Sequence, residues 1–259
     1  MHHTLLCDAA LALSRILTFH RIHHGFFGGF AILSTAASPA RETKDLDVLV
    51  AASKAGVTAL LSARHGWLEI PQNREDYVAY FYRSPHPLSS AASSTSGASD
   101  DDDDEEEKPA PMVLVEMFVG HKVSSRFPVS QNCILRGRHM GVSYVPILDP
   151  AYLLRGKLHA AATRGKQGDA QDILYLVDEY GESLRERLDS VDKTVVRQAC
   201  LRHPELRRAL EKVGVRARAH TVGGVGVGRW RVGKRCPEKP LGHVPAGVFD
   251  VHRGLGWGV

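Results

Sequence analysis

Gly25-Phe26-Phe27-Gly28-Gly29-Phe30-Ala31, then Arg41-Glu42-Thr43-Lys44-Asp45-Leu46-Asp47-Val48-Leu49-Val50, is the stretch whose reading decides the fold. Leu46 to Val50 are mostly β-formers, which sets the two aspartates at the start of a strand. Strand side chains alternate faces, so carboxylates at i and i+2 leave the same side, roughly 6.5–7 Å apart along the chain. Two hard oxygen ligands at that spacing suit one or two Mg²⁺ (or Mn²⁺) ions. A Gly-Gly turn at a helix start lets a phosphate approach backbone N–H groups with no side chain between. Asp-x-Asp also occurs in solvated turns, and Gly-Gly also marks simple turns. In combination they point to a nucleoside triphosphate held by metal.

The ordered pattern of Gly28-Gly29, a helical spacer and then Asp45-Leu46-Asp47 resembles the signature of the nucleotidyltransferase superfamily, the polymerase-beta-like fold. The fuller string Gly28-Gly29-x-Ala31 … Arg41-x-Thr43-Lys44-Asp45-Leu46-Asp47 resembles its minimal, AbiEii-type branch. Downstream, Lys157-Leu158-x-Ala160, Arg164-x-Lys166 and Asp169-x-x-Asp172-Ile173 look like that branch's second motif, with Gly168 where a lysine often stands. The resemblance spans roughly residues 22–180, with gaps. It implies an α/β fold, a nucleotidyltransferase-like mixed twisted sheet with flanking helices and a C-terminal helical subdomain forming one wall of a cleft.

Working outward, residues 4–20 read as an amphipathic helix, 24–28 as a strand, 29–37 as a short helix and 45–51 as the aspartate strand. Ser53 is placed to cap a helix over 54–64. Strands follow at 67–70, 77–82, 112–119, 130–135 and 142–147, then helices at 150–164, 169–180, 182–189 and 192–213. Residues 1–82 and 112–148 form the expected α/β core. Residues 83–111, rich in Ser, Ala and acidic residues, read as a disordered insertion, because nothing there offsets the entropy of ordering the backbone. Residues 149–214 form the helical subdomain, and 215–259 a Gly- and Arg-rich disordered tail.

In Val113-Leu114-Val115-Glu116-Met117-Phe118-Val119 both faces are apolar apart from Glu116, which suggests a strand covered on both sides. A carboxylate there needs a cation, a buried Arg or Lys, or the open end of the strand. The superfamily places a third catalytic carboxylate on a neighbouring strand, and Glu116 fits; the plain alternative is a structural salt bridge. On the 150–164 helix, Lys157 lies about 40° from Leu153, inside the stripe of Leu154, Leu158 and Ala161. It either snorkels to the domain edge or reaches a triphosphate. If it meets phosphate, Lys157→Met keeps the helix and its stability while weakening nucleotide binding.

The resemblance therefore implies transfer of a nucleoside monophosphate from an NTP to an acceptor hydroxyl, with release of pyrophosphate. Asp45, Asp47 and Glu116 are the catalytic and metal-binding candidates; Gly28, Gly29, Lys44 and Lys157 are the nucleotide-binding candidates. The alternative is an inactive module of the same fold that binds nucleotide, RNA or a protein partner. A small molecule, a tRNA end and a protein side chain all suit as acceptor, and no residue pattern chooses among them. His23 and His24 face opposite ways on a strand, which makes them poor co-ligands.

Composition narrows the setting. Four widely spaced cysteines form neither a disulfide framework nor a zinc site, consistent with a reducing, cytoplasmic location. No apolar run reaches the roughly 20 residues of a membrane helix. The formal charge of +4 is the balance of an eight-residue acidic block, Asp100 to Glu107, and +12 elsewhere. A basic body suits a phosphate-bearing partner, and solubility equally. The basic tail offers non-specific contact with RNA.

Overall fold

The computed structural model describes residues 3–35, 42–84, 111–120, 127–188 and 191–215, apart from the side chains of residues 130–132. The expected insertion at 83–111 and the tail at 215–259 fall almost wholly outside the described residues. The chain divides into two units, residues 1–149 and 150–259. Among the described residues, no helix is long and apolar enough to cross a membrane.

The first unit begins with α1 (His3–Phe19), β1 (His24–Phe27), α2 (Gly28–Thr35), β2 (Asp45–Val50) and α3 (Lys54–Leu61). It continues with β3 (Trp67–Ile70), β4 (Tyr77–Arg83), β5 (Met112–Val119), β6 (Val129–Arg136) and β7 (Val142–Leu148). The strands form one seven-stranded mixed sheet in the order β3-β4-β5-β2-β1-β7-β6. β2 runs parallel to β5, and β1 parallel to β7; the other neighbours are antiparallel.

Alternation along the central strands sorts the sheet into two faces. Leu46, Val48 and Val50 of β2, Val113, Val115 and Met117 of β5, and Val78 and Tyr80 of β4 are all buried. Helices cover this face. Phe30 of α2 meets Phe26 edge to face with centroids 5.7 Å apart, and Ser62, capping α3, bonds the Tyr80 hydroxyl at 3.1 Å. At the other end of α3, Ser53 accepts from the Gly56 N–H at 3.1 Å, the expected N-cap. α1 departs from the amphipathic expectation: Ala9, Ala10 and Ala12 are buried along with its leucines, so the helix is enclosed on most sides. Its buried Asp8 accepts from the N–H groups of His139 and Met140, tying the β6–β7 turn to the helix.

The opposite face of the sheet is less covered. Register pairing carries the row Asp45, Leu114, Phe81, Leu68 across β2, β5, β4 and β3, and beside it the row Asp47, Glu116, Ala79, Ile70. Leu114, Phe81 and Glu116 are half-buried, and Leu68 is exposed. The expectation that β5 is covered on both sides holds on this face at Phe118, which is buried, and gives way at Leu114 and Glu116. Apolar composition on both faces of a strand does not reveal which face meets a helix layer.

The second unit contains α4 (Pro150–Thr163), α5 (Gln167–Arg187), α6 (Lys193–Arg202) and α7 (Leu206–Lys212). Pro150 opens α4, the position where its missing N–H costs nothing. The two helices expected at 169–180 and 182–189 are one helix, kinked at Tyr180 (φ −116°, ψ 17°) just before Gly181. The single helix expected at 192–213 is two. Pro204 forces His203 out of the helical region (φ −131°, ψ 81°) and ends α6 there.

Candidate active site

The site is built on the parallel pairing of β2 with β5. Asp47 stands in register with Glu116, and Asp45 with Leu114, so the three carboxylates sought from the sequence share one face of the sheet. On the other side of β2, Phe27 pairs with Asp47, and the chain then turns at Gly28 into α2. Gly28 has φ +70°, and a Cβ there would lie 1.9 Å from Asp47 Oδ2. Both the backbone conformation and the close carboxylate demand glycine. The start of α2 is thereby brought against the metal-ligand candidate, with its first N–H groups unclaimed by the helix ladder.

Polar neighbours fix two of the carboxylates. The Thr43 hydroxyl donates to Asp45 Oδ1 at 2.8 Å, an i to i+2 bond that the Thr43-x-Asp45 spacing already allowed. The Tyr77 hydroxyl donates to Glu116 Oε1. Burial pushes the Glu116 carboxyl above the ordinary carboxylate range; the Tyr77 bond opposes this and the nearby Asp45 charge adds to it. Tyr77 is pushed up as well, by burial first, then by its bond to Glu116 and the charges of Glu116 and Asp47, with Arg74 opposing. Tyr77 was not legible as a site residue, because its approach depends on the β4–β5 register.

Among the described residues, no three His, Cys, Asp or Glu side chains gather tightly enough to enclose a metal ion. The three carboxylates line a face and do not form a closed cage. Their chemistry suits a hard divalent cation such as Mg²⁺ or Mn²⁺, which takes oxygen ligands and keeps part of its water shell.

The other candidates are placed as follows. Gly29 is buried as the second residue of α2, and Lys44 is exposed just before β2. His23 Nε2 bonds the Phe127 carbonyl at 2.9 Å. His24 Nδ1 bonds the Ile22 carbonyl at 2.9 Å, which leaves Nε2 to accept from Ser14 at 2.9 Å. Each ring is engaged on its own, as the alternation of faces suggested.

Lys157 is buried within the second unit, and its ammonium lies 2.7 Å from Asp172 Oδ2 and 3.5 Å from Asp169 Oδ1. Arg164 grips both oxygens of Asp169 at 2.8 Å. Burial alone would raise the Asp169 carboxyl, but the Arg164 bonds and the Lys157 charge bring it below the usual range. Every charged residue of the second sequence motif except Lys166 thus belongs to one ion cluster.

The mixed sheet and its flanking helices agree with what the motif implied. The fold is nucleotidyltransferase-like. No family model matches the sequence, and neither does any curated protein. Among solved structures, an antigenic nucleotidyltransferase-like protein from Paracoccidioides brasiliensis superposes with a TM-score of 0.52 at 17% identity, covering 85% of this chain and 96% of that one. JHP933 from Helicobacter pylori gives a TM-score of 0.38 at 14% identity, covering 83% and 98%. At 17% identity the likeness to the Paracoccidioides protein is one of fold.

Three outcomes follow from this geometry. Gly28→Ala should lose at least about 2 kcal/mol in denaturant unfolding, since alanine meets both a left-handed backbone and the Asp47 carboxylate. Wild-type stability would contradict the close approach. Lys157→Met should cost about 3–5 kcal/mol, because it takes the cation from two buried carboxylates, the reverse of the stability expected of a phosphate ligand. Glu116→Gln should raise Tm at pH 7. A raised folded pKa means that the contribution of the protonated carboxyl to stability is present below about 4.3 and is lost as pH climbs through that pKa. The advantage of the variant should fade as pH drops towards about 4, and a gap constant across pH would refute the assignment.

Proposed function

We propose that the chain is a metal-dependent nucleotidyltransferase of the AbiEii-like branch, moving an NMP from an NTP to an acceptor hydroxyl with release of pyrophosphate. The observation that carries this reading is the in-register pairing of Asp47 with Glu116, with Gly28 pressed against Asp47 at the start of a helix. Fold likeness alone would not choose a function.

Asp45, Asp47 and Glu116 would hold Mg²⁺ or Mn²⁺, which when bound polarises the α-phosphate and neutralises the charge of the leaving pyrophosphate. The backbone N–H groups at Gly28 and Gly29 receive phosphate oxygens at the positive end of α2. Exposed Lys44, next to Asp45, offsets triphosphate charge from the solvent side. Glu116 is either the third ligand or the base that takes the acceptor's proton; burial, which raises its proton affinity, suits the second role. Lys157 reaches phosphate only by giving up Asp172, so the proposal leans on Lys44 and α2 first. The acceptor is a hydroxyl on a small molecule, a tRNA end or a protein side chain.

A non-catalytic module that binds nucleotide, RNA or a protein is favoured by one observation: among the described residues the carboxylates are not gathered into a cage. Magnesium-dependent release of pyrophosphate from labelled NTPs, offered with a panel of acceptors, separates the two. The wild type should label one acceptor class, and Asp45→Asn or Asp47→Asn should each lower the rate at least about 100-fold with the fold kept. Equal rates for Asp47→Asn and wild type would sink the assignment, and no turnover with any acceptor would favour the binding module.

A further inference from the structure

Tyr77 touches the carboxylate face and has no part in the reaction just outlined. In the β4–β5 register the residue directly opposite Glu116 is Ala79, while Tyr77 stands opposite Phe118. Alanine leaves the space beside Glu116 open. The phenol fills it diagonally, a reach that aromatic side chains make between neighbouring strands. Its hydroxyl donates to Glu116 Oε1, and among the described residues no other group hydrogen-bonds this carboxylate.

The phenol is fixed from every side that the described residues supply. It is 7% exposed. Its ring meets Phe118 edge to face at 5.5 Å, and Phe118 meets Phe27, the register partner of Asp47, at 5.3 Å. The Arg74 guanidinium lies 5.5 Å from the ring centroid and is held by both oxygens of Asp76, at 2.8 and 2.7 Å. The loop carrying Arg74 is anchored by Lys54, whose ammonium donates to the carbonyls of Gln72 and Arg74 at 2.6 and 2.8 Å. The Val119 N–H closes on the Asp76 carbonyl at 3.0 Å. A hydroxyl delivered by so constrained a scaffold sets the rotamer of a long, otherwise adaptable side chain.

We propose that Tyr77 is the positioning residue of the third carboxylate: by tying down Oε1 it presents Oε2 of Glu116 towards Asp47 and thereby sets the affinity of the three carboxylates for a divalent cation. The proposal rests on reading Asp45, Asp47 and Glu116 as a metal site. Outer partners of metal ligands act in this way by fixing ligand orientation before the ion arrives. The competing account is that a buried phenol merely needs an acceptor and Glu116 supplies one. In that case the bond serves Tyr77, and the cation does not sense it.

Titration of the full-length chain with Mn²⁺, followed by the electron paramagnetic resonance signal of the free ion, separates the two. The acidic run Asp100 to Glu107 also attracts Mn²⁺, and its share is the binding that survives Asp47→Asn. Tyr77→Phe keeps the ring contacts with Phe118 and Arg74, so Tm should stay close to wild type. The Asp47-dependent class should weaken about 10- to 100-fold, with a matching loss in Mg²⁺ competition. In the Glu116→Gln background, Tyr77→Phe should have no further effect, because the hydroxyl acts through that carboxylate. Unchanged Mn²⁺ affinity in Tyr77→Phe, or an equal loss in the Glu116→Gln background, overturns the positioning role while leaving the metal site standing. A wild type with no Asp47-dependent Mn²⁺ binding overturns both.

Discussion

Asp47 is held between two backbones that leave it almost no room. On one side Gly28 turns with positive φ so close that any side chain would strike the carboxylate; on the other, β5 runs parallel with Glu116 in register. The constraint couples three elements. β1 must end at Phe27, α2 must start at once, and β2 must lie between β1 and β5. Shifting β2 by one residue would turn both aspartates into the layer now filled by Leu46, Val48 and Val50, so the hydrophobic core itself enforces the register. The alternation that buries one face is also what lines the other with carboxylates.

The two units treat buried charge in opposite ways. Asp169 is met by a guanidinium and an ammonium, and its ionised form is favoured. Glu116 is met by a phenol whose bond favours the ionised form, but burial outweighs that bond and disfavours it. The first arrangement is self-sufficient: breaking it exposes uncompensated charge to a dry interior. In the second, burial disfavours the charge on Glu116. A fold tolerates such local cost where a ligand relieves it, and sites of this kind tend to coincide with function. That contrast is why the first unit carries the proposed chemistry, while the ion cluster of the second is read as architecture.

Much of this was legible in the chain. The alternation Asp45-Leu46-Asp47-Val48 has a period of two and predicts a strand with both carboxylates on one side; the structure has both. Ser53 and Pro150 announce helix starts through local chemistry that does not depend on the rest of the protein. The failures are equally specific. The break at His203-Pro204 interrupts the helix expected over 192–213, because proline restricts the residue before it. The kink at Tyr180 stands where a gap between two helices is expected, because a kink and a gap look alike in sequence. Helix periodicity predicts the buried face of Lys157, but its partners lie on another helix, and periodicity says nothing about what stands opposite.

The sequence by itself determined which residues share a face, because strand and helix periods are properties of the local backbone. It determined that Gly28 and Gly29 open a helix and that Glu116 sits on an apolar strand. Only the tertiary structure decided that Glu116 lies beside Asp47, that Tyr77 reaches it across Ala79, and that Lys157 answers Asp172. Those facts depend on strand order, register and helix packing. Contacts between residues far apart in the chain are chosen by how the whole core closes, and no local pattern encodes that choice.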